Sequence, residues 1–474
     1  MERNHILRKA LAVGIILLFV GTSVVPFTAQ NIGEKSSLLT QYGNHAPIRI
    51  IGNDGFTPEN GVTGGNGTAN DPYRIENWVI VSDGSASQGI FIHDTDAYFV
   101  IRNCMVSGFH HPDEYHQGIQ LSVVSNGRIE DTTMSECQTG INIRSSTENE
   151  IINCTCSDYP SDIGFGIAIN RSMNITILSS KCYKMYNGIE INESWDIIIK
   201  KTECNNNTHC GLLSNVVDQT AMRFLIEDCM FHNNSFAGIV LRSSTQHSSY
   251  SIIRNCSFYY HQSNLYYGSY GIELTNLCNN IIENCFFYRN AYGLELGQGS
   301  CYNSIRNCSF LSQYRAGVSI DGYWPFNKIQ SNNEISYCDF FDNGCISAPQ
   351  PNCGISLFFS RGTKIHHCNI ANNPVYGIYS WFSVAQITSN NIFNNYNYTY
   401  DPPNAGACIH RSFLDLRSNW WGTSQGPNIT IIFLPGIFLP IRITDNGDTV
   451  LRFKGLALLR PWLSEPVPDT GRHT

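Results

Sequence analysis

A glycine followed by an apolar–any–apolar triplet returns again and again along this chain, and its spacing constrains the fold more than any other feature. Clear copies are Gly89-Ile90-Phe91-Ile92, Gly118-Ile119-Gln120-Leu121 and Gly140-Ile141-Asn142-Ile143. Related copies open at Gly166, Gly188, Gly211, Gly238, Gly271, Gly293, Gly317, Gly354 and Gly377. The base interval is 22 to 24 residues and the longest is 37, so a fixed unit carries insertions of variable size. A period in the twenties is the mark of a stacked-repeat architecture in which each unit packs only on its neighbours.

A second motif falls between these copies. Ile-x-x-Cys occurs at Ile101/Cys104, Ile151/Cys154, Ile226/Cys229, Ile253/Cys256, Ile282/Cys285, Ile305/Cys308, Ile335/Cys338 and Ile365/Cys368, and Cys182 and Cys204 are assigned to the same place. Each period therefore carries two or three short strands with an apolar inward face. Asn103, Asn153, Asn255, Asn284 and Asn307 precede the cysteines, where a tight turn needs left-handed geometry. Charged residues are 14 %, against roughly 25 % in ordinary globular chains, and no stretch keeps a 3.6-residue period. The expectation is an all-β solenoid with equivalent residues stacked about 4.8 Å apart.

The ends differ from the middle. Arg3, Arg8 and Lys9 precede an apolar run from Ala10 to Val25 with small residues after it, which predicts an export signal over 1–29. The mature chain then has no membrane span and is expected outside the cytoplasm, secreted or at the cell surface. A net charge of −8 gives no basic footprint for nucleic acid. Residues 47–82 read as an N-terminal cap, 83–427 as the solenoid, 428–464 as a β-like extension and 465–474 as a disordered tail.

With those motifs in view the chain resembles right-handed parallel β-helix repeat proteins, and more narrowly the NosD-like group, named for a periplasmic copper-binding protein. The resemblance rests on the segment Pro47–Ile80, with Gly64-Gly65-Asn66-Gly67-Thr68 and Asp71-Pro72-Tyr73, and on Ser418–Asn428, with Asn419-Trp420-Trp421-Gly422. It implies a single-stranded right-handed parallel β-helix of about a dozen rungs with an N-terminal cap. It does not imply one activity, because this fold hosts lyases, hydrolases, epimerases and binding proteins alike.

Three groups of residues are candidates for function. Alternation turns the residue two after each glycine outward, which sets Glu273 and Glu295 on consecutive rungs with Tyr270 and Tyr292 beside them and Asp321 on the next rung. Carboxylates and flat rings on an elongated face suit sugar hydroxyls and sugar ring faces. His110, His111, Asp113, Glu114 and His116 crowd one inserted loop, and His93 and Asp94 are expected to face it, a composition that fits a divalent metal or copper. The repeated cysteines read as small core hydrophobes, with thiolate ligation of copper or zinc as the rival reading. Cys345 and Cys353 bracket an insertion and are a candidate loop-closing disulfide. The expectation for the whole is a non-catalytic scaffold for extended polysaccharide or cell-surface glycan. A carbohydrate-active lyase, epimerase or hydrolase and a NosD-type metal handler are the alternatives, and no cofactor is certain.

Overall fold

The computed structural model describes residues 42–473 apart from 112–114, 160–162, 217–221, 262–267, 322–329, 346–351, 396–404, 435–436 and 443–446. Asn44–Thr474 is one compact unit, and the export segment predicted over 1–29 lies outside the described residues. Each coil contributes one strand to each of three parallel sheets. The glycine sheet runs from Ile48–Ile51 through strands such as Gln117–Val124 and Tyr270–Cys278 to Thr449–Phe453. The isoleucine sheet, with strands such as Ile252–Arg254 and Ile281–Glu283, follows it in every coil. A third, 14-stranded sheet, with strands such as Ser257–Tyr259, completes the turn. Pairing keeps register through most of the solenoid, as in Ile272↔Leu294 and Phe258↔Phe287, with local shifts after Arg242 and Arg361, so a side chain's usual neighbour is its own counterpart one coil away.

That register dictates the residue columns. A Cβ on Gly293 would lie 2.6 Å from the Gly317 carbonyl oxygen and 2.6 Å from Phe310, and the other repeat glycines are crowded in the same way. The glycine is required by close approach of coil to coil, and its φ is ordinary. Inside, Phe231, Phe258, Phe287, Phe310 and Phe340 form a run of stacked rings with centroids 4.6 to 5.4 Å apart. At the turn before the glycine strand, buried amides form a chain: Asn207 N donates to Asn234 Oδ1, His261 N to Asn290 Oδ1, Asn290 N to Gln313 Oε1, and Asn343 N to Asn373 Oδ1.

The cysteine column answers to the same logic. Asn103, Asn153, Asn255, Asn284 and Asn307 all have φ between 51 and 55°, as the turn demands, and the following thiol turns inward. Cys256 Sγ donates to the carbonyls of Ile226 and Arg254 at 3.7 and 3.1 Å, and Cys154 Sγ to those of Ile129 and Ile152. Thr132, Ser180 and Thr202 fill the same place and donate likewise. Cys182 and Cys204 do not belong to this column. In the third sheet, two residues further along, Cys182 pairs in register with Cys156 and Cys204 with Cys182, and the residues equivalent to the other cysteines are Ser180 and Thr202. Interchange of Cys with Ser and Thr, rather than a displaced cysteine, is how those rungs vary.

Both ends are covered. Phe56 stacks on Tyr73 at 4.5 Å and packs against Phe99, and Trp78 Nε1 donates to the Gly61 carbonyl. At the other end Trp421 is fully buried, and Asn428–Leu434 pairs with Thr449–Phe453 and, antiparallel, with Ile437–Arg442. The tail predicted to be disordered is instead ordered from Glu465 to His473 and hydrogen-bonded to the body. Its partners are half-buried or buried Asn and Asp side chains of the solenoid, which satisfy a polar peptide that has no core of its own.

Two substitutions test the column logic by urea unfolding. Gly293→Ala is expected to cost about 1–3 kcal/mol through overpacking, whereas Cys256→Ser, which keeps a donor where other rungs carry Ser or Thr, is expected to change stability by less than about 1 kcal/mol.

Candidate functional site

The tyrosine and glutamate pairs are where the spacing places them. Tyr270 faces Tyr292 and Glu273 faces Glu295 across adjacent glycine-sheet strands, and the two rings stack at 5.5 Å with 17° between their planes. Asp321 is on the next coil but not in the glutamate row. That row continues with Ser319, whose Oγ donates to Asp321 Oδ1 at 2.9 Å. Two arginines belong to the group and have no repeat signature. Arg242, from the preceding coil, donates twice to Glu273 at 2.7 Å, and Arg315 donates to the Tyr292 hydroxyl at 2.9 Å. Glu273 and Tyr292 are only 7 % and 8 % exposed, while Tyr270, Glu295 and Asp321 stay partly open.

Burial, more than the crowding of carboxyls, governs their protonation. Burial, then the neighbouring Asp321 and Glu273, push the Glu295 carboxyl up to about 8, and a hydrogen bond with Tyr270 partly offsets the rise. Asp321 is raised by burial, against the Ser319 hydrogen bond. Burial, ahead of the nearby carboxyls, raises the Tyr270 phenol.

The aromatic row is longer than the two tyrosines. Tyr186, His209 and Phe236 continue it toward the N-terminus, with successive centroids 4.8 and 5.0 Å apart and planes within 6° of parallel, and Phe236 meets Tyr270 edge-on at 5.6 Å. Each of these three stands two residues before a repeat glycine rather than one, a shift that hid them from the pattern. Further along the same face is a polar concavity of about 560 Å³ whose lining includes Gln120, Asn142, Asn170, Glu190 and Asn192. There Asn192 Nδ2 donates to Asn170 Oδ1 and Asn170 Nδ2 to Asn142 Oδ1.

The described members of the histidine group do not form one cluster. Parallel register sets His93 beside Ser122, whose carbonyl its Nδ1 meets at 3.0 Å. His116 precedes the start of that neighbouring strand, so the two histidines are offset by about six residues, roughly 20 Å along the strand direction. Asp94 lines a different cleft, with Asp54 and Asp96. His110 Nδ1 meets the Glu136 carbonyl at 3.1 Å, and the His111 and His116 rings lie 5.4 Å apart. Asp113 and Glu114 lie outside the described residues. Among the described residues no three His, Cys, Asp or Glu side chains converge in a way that would hold a metal.

The column cysteines are buried in the core, as expected of small hydrophobes. Burial pushes the Cys104 thiol up to about 11 and the Cys154 thiol up to about 12, which favours the protonated, hydrogen-bonding form over a thiolate ligand. Cys345 and Cys353 are separate thiols. Cys353 packs with Ala316 and Tyr376 on the glycine sheet, while Cys345 lines a cleft with Arg289 and Tyr314. The disulfide joins Cys278 to Cys301 instead, equivalent residues of consecutive coils with Cα atoms 4.6 Å apart. Cys278 ends its glycine strand and Cys301 follows the next one, at the turn into the isoleucine sheet.

Fold and columns together define a parallel β-solenoid with a ring-and-carboxyl group on its glycine sheet. The family described as right handed beta helix region matches residues 88–258 and 224–393, and the chain belongs to it. None of the curated proteins matches the sequence. Similar solved structures include the A-module of the Azotobacter vinelandii mannuronan C-5 epimerase AlgE4, at 12 % identity and a TM-score of 0.38, covering 75 % of this chain and 88 % of that one. The periplasmic alginate epimerase AlgG is similar at 11 % identity and a TM-score of 0.36, covering 90 % and 89 %. Tailspike protein 3 of bacteriophage CBA120 is similar at 11 % identity and a TM-score of 0.45, covering 85 % and 68 %.

Protonation of Glu295 is open to a direct check. A carboxyl raised in the folded state contributes stability at low pH that is lost as pH rises through its folded value, and Asp321 acts in the same sense. Unfolding free energy is expected to fall between about pH 5 and pH 8, and Glu295→Gln is expected to flatten that slope. Tyr270→Phe, by removing the offsetting hydrogen bond, is expected to raise the Glu295 value in a ¹³C-detected titration.

Proposed function

We propose that the chain is an exported, non-catalytic scaffold that binds an extended polysaccharide along the outer face of its glycine sheet. The observation that carries this reading is the in-register stack of Tyr270 on Tyr292, flanked by Glu273, Glu295 and Asp321. Sugar rings have apolar faces that lie on aromatic rings and hydroxyls that hydrogen-bond to carboxyl and amide groups, and both kinds of partner are arrayed here along one direction. The Tyr186–His209–Phe236 run and the amides Asn142, Asn170 and Asn192 extend the row over further coils, which suits a polymer more than a single small molecule.

One observation favours a second reading, a carbohydrate-active enzyme. Glu295 is raised into the range of a general acid, while its register partner Glu273 is bound to Arg242. Two carboxyls in unlike settings are the usual division of acid and base. The metal-handling reading draws no support from the described residues: no three His, Cys, Asp or Glu side chains converge on a common point, and column sulfurs such as Cys104 and Cys154 hydrogen-bond to backbone carbonyls.

Titration calorimetry with neutral and uronate oligosaccharides separates the readings. The scaffold predicts binding that Tyr270→Ala weakens at least about tenfold, roughly 1.4 kcal/mol, with no new reducing ends or unsaturated products after prolonged incubation. Product formation that Glu295→Gln abolishes would establish the enzyme instead. Absence of binding to every glycan tested would remove both.

A further inference from the structure

The C-terminal segment is bound in a way that is itself a recognition pattern. From Val467 to His473 it runs back along the corner where the isoleucine sheet turns into the third sheet, against the direction in which the coils advance. Val467 and Thr470 meet Asn391 and Asn369, Gly471 meets His367, Arg472 meets Asp339, and His473 meets Asn307.

Most of these contacts are to the peptide main chain. The Asn391 carboxamide accepts from Val467 N at 2.8 Å and donates to Val467 O at 3.2 Å. The Asn307 carboxamide does the same for His473, accepting from its N–H and donating to its carbonyl at 3.0 Å. Between them, Asn369 Nδ2 donates to Thr470 O, Gly471 N to His367 O, and Arg472 N to Asp339 Oδ2. A side-chain amide bonded through both edges to one residue's N–H and C=O reproduces the hydrogen bonding of a strand neighbour and takes no account of side-chain identity.

Side-chain selectivity enters at two places. Thr470 Oγ1 donates to Asn369 Oδ1 and accepts from Asn391 Nδ2, both at 2.7 Å. Gly471 has φ 80°, and a Cβ there would sit 2.2 Å from Asp339 Oδ1 and 2.3 Å from Asn369 Nδ2. The polar row does not stop at His473. Asn284 Oδ1 accepts from Asn307 Nδ2, and the exposed Asn255 and Asp228 follow on the next two coils.

We propose that this corner is a peptide-binding site that reads main chain through Asn307, Asn369 and Asn391, that Val467–His473 is its resident ligand, and that an extended peptide carrying Thr-Gly at the matching positions takes its place when that segment is dislodged. The substitution Gly471→Val in the full chain dislodges it, because both the left-handed φ and the missing space at Asp339 exclude a branched residue. Hydrogen exchange is expected to speed up at least tenfold at the amides of Val467, Gly471, Arg472 and His473, with the far-UV spectrum of the solenoid unchanged. A fluorescein-labelled synthetic peptide of residues 465–474 is then expected to bind the G471V chain at least tenfold tighter than the unsubstituted chain, whose site is filled. The same peptide with Val in place of Gly471 is expected not to bind. Asn307→Ala with Asn391→Ala, in the otherwise unaltered chain, are expected to release the same amides without added peptide. Unchanged exchange at those amides in both variants would overturn the proposal, and so would a released segment with no binding of the labelled peptide.

Discussion

Hydrogen bonding between a strand and its own counterpart one coil later is the interaction on which the rest depends. It fixes the separation of coils, and through that the neighbour of every side chain is a residue of the same column. Choice of residue then becomes a choice about stacking like on like. Phenylalanine gains from it, as the parallel rings from Phe231 to Phe340 show. Glycine permits it where the turn brings a carbonyl of the next coil to 2.6 Å from where a Cβ would be, as at Gly293. Carboxylates lose by it, and Glu273 and Glu295 share a column only with Arg242 on one and the Tyr270 hydroxyl on the other.

Buried polar columns face a stricter requirement, since each buried donor must find an acceptor. The amide chain solves this by having every backbone N–H donate to the side chain of the following coil. Such a chain needs a terminus that accepts without donating. Asp448 fills that place: Asn395 donates to it from both its N–H and its Nδ2, and burial raises its carboxyl to about 6. The thiols work on a smaller scale, turning back to carbonyls of their own coil and the one before.

Repeating features were legible in the sequence because a period multiplies a weak signal. The glycine and Ile-x-x-Cys positions gave the strands, Asn before Cys gave the left-handed turn, and distance from the glycine paired Tyr270 with Tyr292 and Glu273 with Glu295. What stayed hidden is what occurs once or drifts. Cys182 and Cys204 were misplaced because Ser180 and Thr202 stand in for the thiol and leave a cysteine two residues on. Tyr186, His209 and Phe236 were missed by a one-residue shift relative to the glycine. Arg242 and Arg315 carry no pattern at all. Proximity in sequence misled for the histidines, since strand direction, not loop composition, decides that His93 lies beside Ser122. The cysteines bracketing one insertion suggested a bridge, whereas coil-to-coil alignment made the bridge between Cys278 and Cys301.

A solenoid of this kind transmits force only from one coil to the next, so a pull on its end would ordinarily peel coils away singly. The returning C-terminal segment alters that path. It touches side chains or carbonyls from Asn391 back to Asn284, spanning several coils on one edge like a tendon along a flexed spine. Tension applied at the C-terminus therefore meets a row of main-chain hydrogen bonds loaded one after another, while the coils beneath stay unloaded until the last of them has parted.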